Sequence, residues 1–192
     1  ANLRDAARHG LAAGAGGFLV TDWGDHGHHQ PPAVSLPPLA DAAAVAWCLE
    51  ANQELDLAAV VDRFLAEDEA GVLGRVLAGA GELFERTGAF AINASPLFSA
   101  LVPPGPLGLL GEPDAAALAE VVAQLEAALD ALPRAQSRAP DAESLTAELD
   151  AALRLARAVA WRLALRHGLP APAHAVLRAD LEQAIARQRA AW

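Results

Sequence analysis

The 192-residue chain contains no methionine and no lysine, and only one cysteine, Cys48. A single cysteine excludes an internal disulfide. With lysine missing, all 14 basic residues are arginines. They stand against 24 acids, for a formal net charge of −10. That balance supplies no basic footprint for nucleic acid or for an anionic membrane surface, so neither is expected as a partner. The Ala- and Arg-rich, lysine-free composition fits the codon bias of a GC-rich genome and carries no function. Long apolar runs are also missing: arginines and acids interrupt every stretch before the roughly 20 residues a membrane span needs. There is no basic region followed by an apolar one at the N-terminus, so no secretory signal is read and a cytoplasmic location is expected. The absence of methionine, with a start at Ala1, reads as a chain that lost a leader or was excised from a longer polypeptide.

Apolar residues are abundant. A hydrophobic share of 54% and a mean hydropathy of +0.23 exclude intrinsic disorder. The length suffices for a real core in one or two domains. Chemistry concentrates in one place, residues 17–30. Phe18, Leu19 and Val20 form a short, wholly apolar run that suits a strand buried on both faces. Asp22, Trp23 and Asp25 follow at its C-terminal end, where an α/β barrel presents side chains to a ligand. Ahead of it, Asn2 is placed to cap a helix through Leu3, Ala6, Ala7 and Leu11, closed by Gly14 to Gly17. Helix, glycine turn and strand make one unit of a parallel α/β architecture. Pro31, Pro32, Pro37 and Pro38 bracket Ala33 to Leu36, which predicts at most a single edge or barrel strand. From Leu39 the pattern is helical through Trp47 and Leu49.

Downstream, helical spacing predominates. Leu57, Val60, Val61, Phe64 and Leu65 predict one amphipathic helix; Val72, Leu73, Val76, Leu77, Leu83 and Phe84 predict another. Gly74, Gly79 and Gly81 weaken the second by up to ~1 kcal/mol each relative to Ala, unless they permit close packing. Residues 88–112 read as an apolar loop with a short helix near Pro96 to Leu101. Leu118, Val122, Leu125 and Leu129 mark a bundle seam opened by Pro113 and Asp114. A long helix runs from Asp141 to the His167-Gly168 stop, and a last one carries Val176, Leu177, Leu181 and Ile185. The predicted fold is therefore mainly α: the end of a (β/α) barrel over residues 1–54, then a C-terminal helical domain over 55–192. A complete barrel takes about 250 residues and eight strands, so the chain reads as a C-terminal piece of a larger enzyme. The alternative is an all-α protein in which Phe18 to Val20 is buried extended chain.

The run Gly17-Phe-Leu-Val-Thr-Asp-Trp-Gly-Asp25, the later Pro37-Pro-Leu-Ala-Asp-Ala-Ala-Ala-Val-Ala-Trp47 and the helical tail resemble bacterial glycosidases related to family 20 glycoside hydrolases, the β-N-acetylhexosaminidases. The resemblance is specific over about residues 1–55. It implies that Trp23 lines a sugar pocket, that Asp25 accepts hydrogen bonds from sugar hydroxyls, and that Trp47 packs in the last barrel helix. Where the family pattern has Asn and an aromatic in the loop, this chain carries His26 and His29. The family's catalytic Asp-Glu pair lies on an earlier strand and has no counterpart here; Asp68-Glu69 ends a helix and reads as solvated. The expected function is the C-terminal part of a glycoside hydrolase acting on N-acetylhexosamine-type glycans, inactive alone, with carbohydrate as the partner of the whole protein.

Each candidate has a plainer reading. An indole face suits the apolar face of a pyranose, and a carboxylate takes two adjacent hydroxyls. Against that, Trp23 and Asp25 read as a core indole and a turn cap. Asp22 reads equally as a substrate contact or as a group holding the loop. His28 reads as a hydrogen-bonding partner of substrate or loop backbone. His26, His28 and His29 are three imidazoles too close in one loop to converge readily on zinc, so no metal is expected, and no cofactor. Cys48, inside a helix among apolar neighbours, reads as inert packing. Trp161 with Arg154, Arg157, Arg162 and Arg166 reads as an ion-pair face between helices. The rival function is a non-catalytic helical interaction or oligomerisation module, with a second copy as partner.

Overall fold

The computed structural model describes residues 2–23, 30–91, 94–101 and 109–191. Among them are eight α-helices and one two-stranded pairing, so the protein is mainly α.

Helix α1 (Asn2–Ala12) ends at Gly14, and α2 (Leu36–Trp47) packs against it. The Arg4 guanidinium clasps both carboxylate oxygens of Asp41 in α2, at 2.7–3.3 Å, and donates to the Gln53 carbonyl. Phe18 to Val20, predicted as a buried strand, have no ladder partner among the described residues, and Leu19 is 86% exposed. A parallel strand needs neighbours to take its N–H and C=O groups, and none of the described residues forms a ladder with this run. The second predicted strand is replaced by a 3₁₀ turn at Pro32–Ser35 that runs directly into α2. Proline fixes the φ a helical start requires and removes a ladder donor, so the four prolines favour the turn. Pro31 and Ala33 are buried, and the Ala33 amide donates to Glu148 at 3.0 Å, anchoring the turn to the long helix downstream.

Helix α3 (Leu57–Phe64) is capped by Asp56, whose carboxylate accepts from the Ala59 amide at 3.0 Å. Helix α4 (Leu73–Gly81) crosses it closely at Gly74: a Cβ there would lie 2.1 Å from the Ala58 carbonyl oxygen. The close packing expected of the glycines thus occurs at Gly74, whereas Gly79 and Gly81 have nothing within 4 Å. The predicted loop over 88–112 holds the short helix α5 (Pro96–Leu101) where expected, together with an unpredicted antiparallel pairing of β1 (Phe90–Ala91) with β2 (Leu109–Leu110). Two-residue strands carry no alternation to read.

Helix α6 (Ala115–Ala131) is capped by Asp114, which accepts from Ala117 at 2.8 Å. Helix α7 (Ala142–Arg166) ends at His167, and Gly168 (φ +66°) supplies the left-handed residue of its stop. Helix α8 (His174–Ala191) returns along α7. The main core joins Val61, Leu73, Val76 and Leu77 to Val121, Leu125, Leu145 and Leu149, and includes Ala33. A smaller cluster of Ala100, Leu118, Val159 and Leu163 seats α5 on α6 and α7. No helix among the described residues is long and apolar enough to cross a membrane.

Candidate functional site

The segment leading to Trp23 is held at both flanks. The Arg4–Asp41 clasp fixes α1 to α2 on one side, and the Ala33–Glu148 bond fixes the turn before α2 on the other. Between them the Trp23 indole Nε1–H donates to Thr21 Oγ1 at 2.7 Å, and the ring is 76% exposed. Thr21 and Trp23 are two residues apart, the spacing that brings side chains to one side of a strand-like chain. Asp22, between them, accepts from the Ser35 hydroxyl at 2.5 Å. That bond ties the segment before Trp23 to the turn that opens α2. The polar edge of the Trp23 indole is satisfied locally, which leaves the ring open to solvent.

Two of the four candidate substrate residues, Asp25 and His28, lie outside the described residues, as do His26 and His29. Among the described residues no three His, Cys, Asp or Glu side chains gather at metal-binding distance. Trp47, expected to pack in a barrel helix, is 91% exposed at the last turn of α2. Cys48 is exposed just beyond that helix and is not buried within it, because α2 ends one residue earlier.

Asp68, read from sequence as solvated, is 5% exposed. Its carboxylate accepts four backbone amides: Ala70 at 3.1 Å, Val72 at 2.7 Å, Leu73 at 2.9 Å and Gln136 at 2.6 Å. Burial by itself would raise its pKa, but the four donors outweigh that and hold it below the ordinary carboxylate value. Asp62 beside it accepts from Gly74 at 2.6 Å, and there burial wins, pushing its pKa up. Asp68 is buried and Asp62 half-buried, and carboxylates with displaced pKa values in such surroundings are common at functional sites. At Asp68 the bonding capacity is spent on backbone, so the group is a structural pin between the start of α4 and the loop before α7. The available signal was an acid a few residues before an apolar helix, in Asp68-Glu69-Ala70-Gly71-Val72-Leu73. Beside the pin, Val72, Arg75, Val76, Pro133 and Arg134 line an open cavity of about 640 Å³.

The arginines of α7 form the expected inter-helix face. Arg157 pairs with Asp180 of α8 and reaches Glu126 of α6, and Arg154 pairs with Asp150 at 2.9 Å. Arg162 and Arg166 donate to the Leu101 and Ser99 carbonyls at 3.2 and 2.9 Å, tying down the end of α5. Burial, followed by the nearby Arg162 charge, lowers the Arg166 pKa. His167 Nδ1 meets Glu112 Oε2 at 2.8 Å at the end of α7. No protein-family model, no curated protein and no solved structure matches this chain.

Proposed function

We propose that the chain is the C-terminal part of a glycoside hydrolase acting on N-acetylhexosamine-type glycans, with residues 1–54 contributing the end of a (β/α) barrel. The observation that carries this reading is the segment Phe18 to Trp23: tethered at both flanks, with Phe18 to Val20 in no β-ladder among the described residues, and with Leu19 and Trp23 exposed. An unpaired apolar segment of this kind is what a barrel strand becomes when its neighbours belong to other polypeptide. In the parent protein Trp23 is the pocket wall, Asp25 takes sugar hydroxyls, and Asp22 and His28 contribute further hydrogen bonds. A carboxylic acid elsewhere in the parent protonates the leaving oxygen, and the substrate acetamide, oriented by a neighbouring carboxylate, attacks the anomeric carbon. This chain supplies neither carboxyl group of that pair and is inactive by itself.

The test is the full reading frame. A parent containing an upstream barrel with an Asp-Glu strand end is expected to hydrolyse a nitrophenyl N-acetylglucosaminide. Trp23→Ala and Asp25→Ala are each expected to lower kcat/KM by about tenfold or more. Unchanged activity in both variants would remove the site, and a parent without a barrel would remove the reading. A second reading, a non-catalytic module that self-associates, is favoured by Trp47 and Phe64, which are exposed outside the Trp23 segment. Sedimentation of the chain distinguishes it: a concentration-dependent dimer lost on Trp47→Ser supports this reading.

A further inference from the structure

Helix α7 has two seams of different chemistry. Toward α6 it meets an apolar row through Leu145, Leu149 and Leu153. Toward α8 a polar row runs along the seam: Asp150 meets Arg187 at 3.5 Å, Arg154 meets Gln183 at 3.2 Å, and Arg157 meets Asp180. Each step of four or three residues along α7 is matched by an equal step back along α8, so the polar contacts themselves set the antiparallel register. Of the α8 side chains only Ala184 is fully buried; Leu177 and Leu181 are half-buried, and Val176 and Ile185 stay exposed. The Arg157 and Asp180 side chains retain 19% and 13% of their surface in water, and Arg187 retains 58%. A helix that buries so little apolar surface belongs to the low-stability end of a fold, able to open before the core does. Its ion pairs weaken as the Debye length shrinks, from about 10 Å at 0.1 M salt to about 3 Å at 1 M.

We propose that α8 is a salt-sensitive strap, which leaves α7 as one unit while the remaining helices stay folded. Its release uncovers the row Asp150, Arg154 and Arg157. It also opens the cavity of about 700 Å³ that Thr146 and Asp150 line with Arg187 and Ala190. Hydrogen exchange of the 192-residue chain, followed by mass spectrometry, tests this. Between about 0.05 and 0.5 M NaCl the α8 amides are expected to exchange roughly fivefold faster, with the amides of Leu145–Leu163 unchanged. Asp180→Asn is expected to bring α8 at low salt close to its high-salt rate, and the exchanged pair Arg157→Asp with Asp180→Arg to restore protection. Equal protection of α8 and α7, or α8 exchange indifferent to salt, overturns the proposal. The unmodified chain's salt series decides the matter by itself should a variant fail to fold.

Discussion

Asp68 shows how much one buried carboxylate can carry. Its four amide donors come from two segments more than 60 residues apart in sequence, so removing it unpins the α3–α4 pair from the loop before α7. Asp68→Ala is expected to lower the unfolding free energy by about 2–4 kcal/mol, checked by urea denaturation. The pH sign follows from its lowered pKa. The ionised group stabilises above its ordinary value near 4 and loses that contribution as pH falls through the folded value. The unmodified chain should therefore lose stability more steeply below about pH 4 than Asp68→Asn does. Asp62 has the opposite sign, since its raised pKa means that ionisation works against the fold; Asp62→Asn should cost less than Asp68→Asn. Trp23 belongs to another class. Its exposed ring contributes little to folding, so Trp23→Ala should leave the thermal midpoint unchanged while removing the proposed sugar contact.

At the scale of elements, α4 offers a sharp contrast between two glycines. Gly74→Ala would drive a methyl group against the Ala58 carbonyl and the Asp62 carboxyl carbon, both within 2.8 Å, at an expected cost of about 3 kcal/mol. Gly79→Ala meets nothing within 4 Å and is expected to stabilise by up to ~1 kcal/mol. Thermal or urea unfolding of the two variants checks both. The caps divide in the same way. Asp56 and Asp114 accept amide hydrogens, so replacing either with Ala should cost about 1 kcal/mol. Asp141 precedes α7 without a side-chain cap bond, and its replacement should cost much less. The helices were legible because leucine and valine recur at a spacing that only a helix turns to one side. The 3₁₀ turn before α2 was misread because four apolar residues between prolines suit a strand as well as a turn, and only neighbours decide between them.

For the molecule as a whole, the glycosidase reading and the helical-module reading make different demands on the same surface. The first requires polypeptide beyond this chain to cover Leu19 and flank Trp23. The second requires a copy of the chain to cover Trp47 and Phe64. Composition leaves no second cysteine for an internal disulfide, and the residue pattern placed all eight α-helices found among the described residues along with the stops at Gly14 and Gly168. Those properties are local, set by side-chain spacing and backbone preference within a few residues. Three matters were decided only by tertiary contacts: the burial of Asp68, the exposure of Phe18 to Val20's central leucine, and the polar seam between α7 and α8. Whether a carboxylate is solvated or an apolar triplet paired depends on what distant segments bring alongside, and neighbours far off in sequence leave no mark on local spacing.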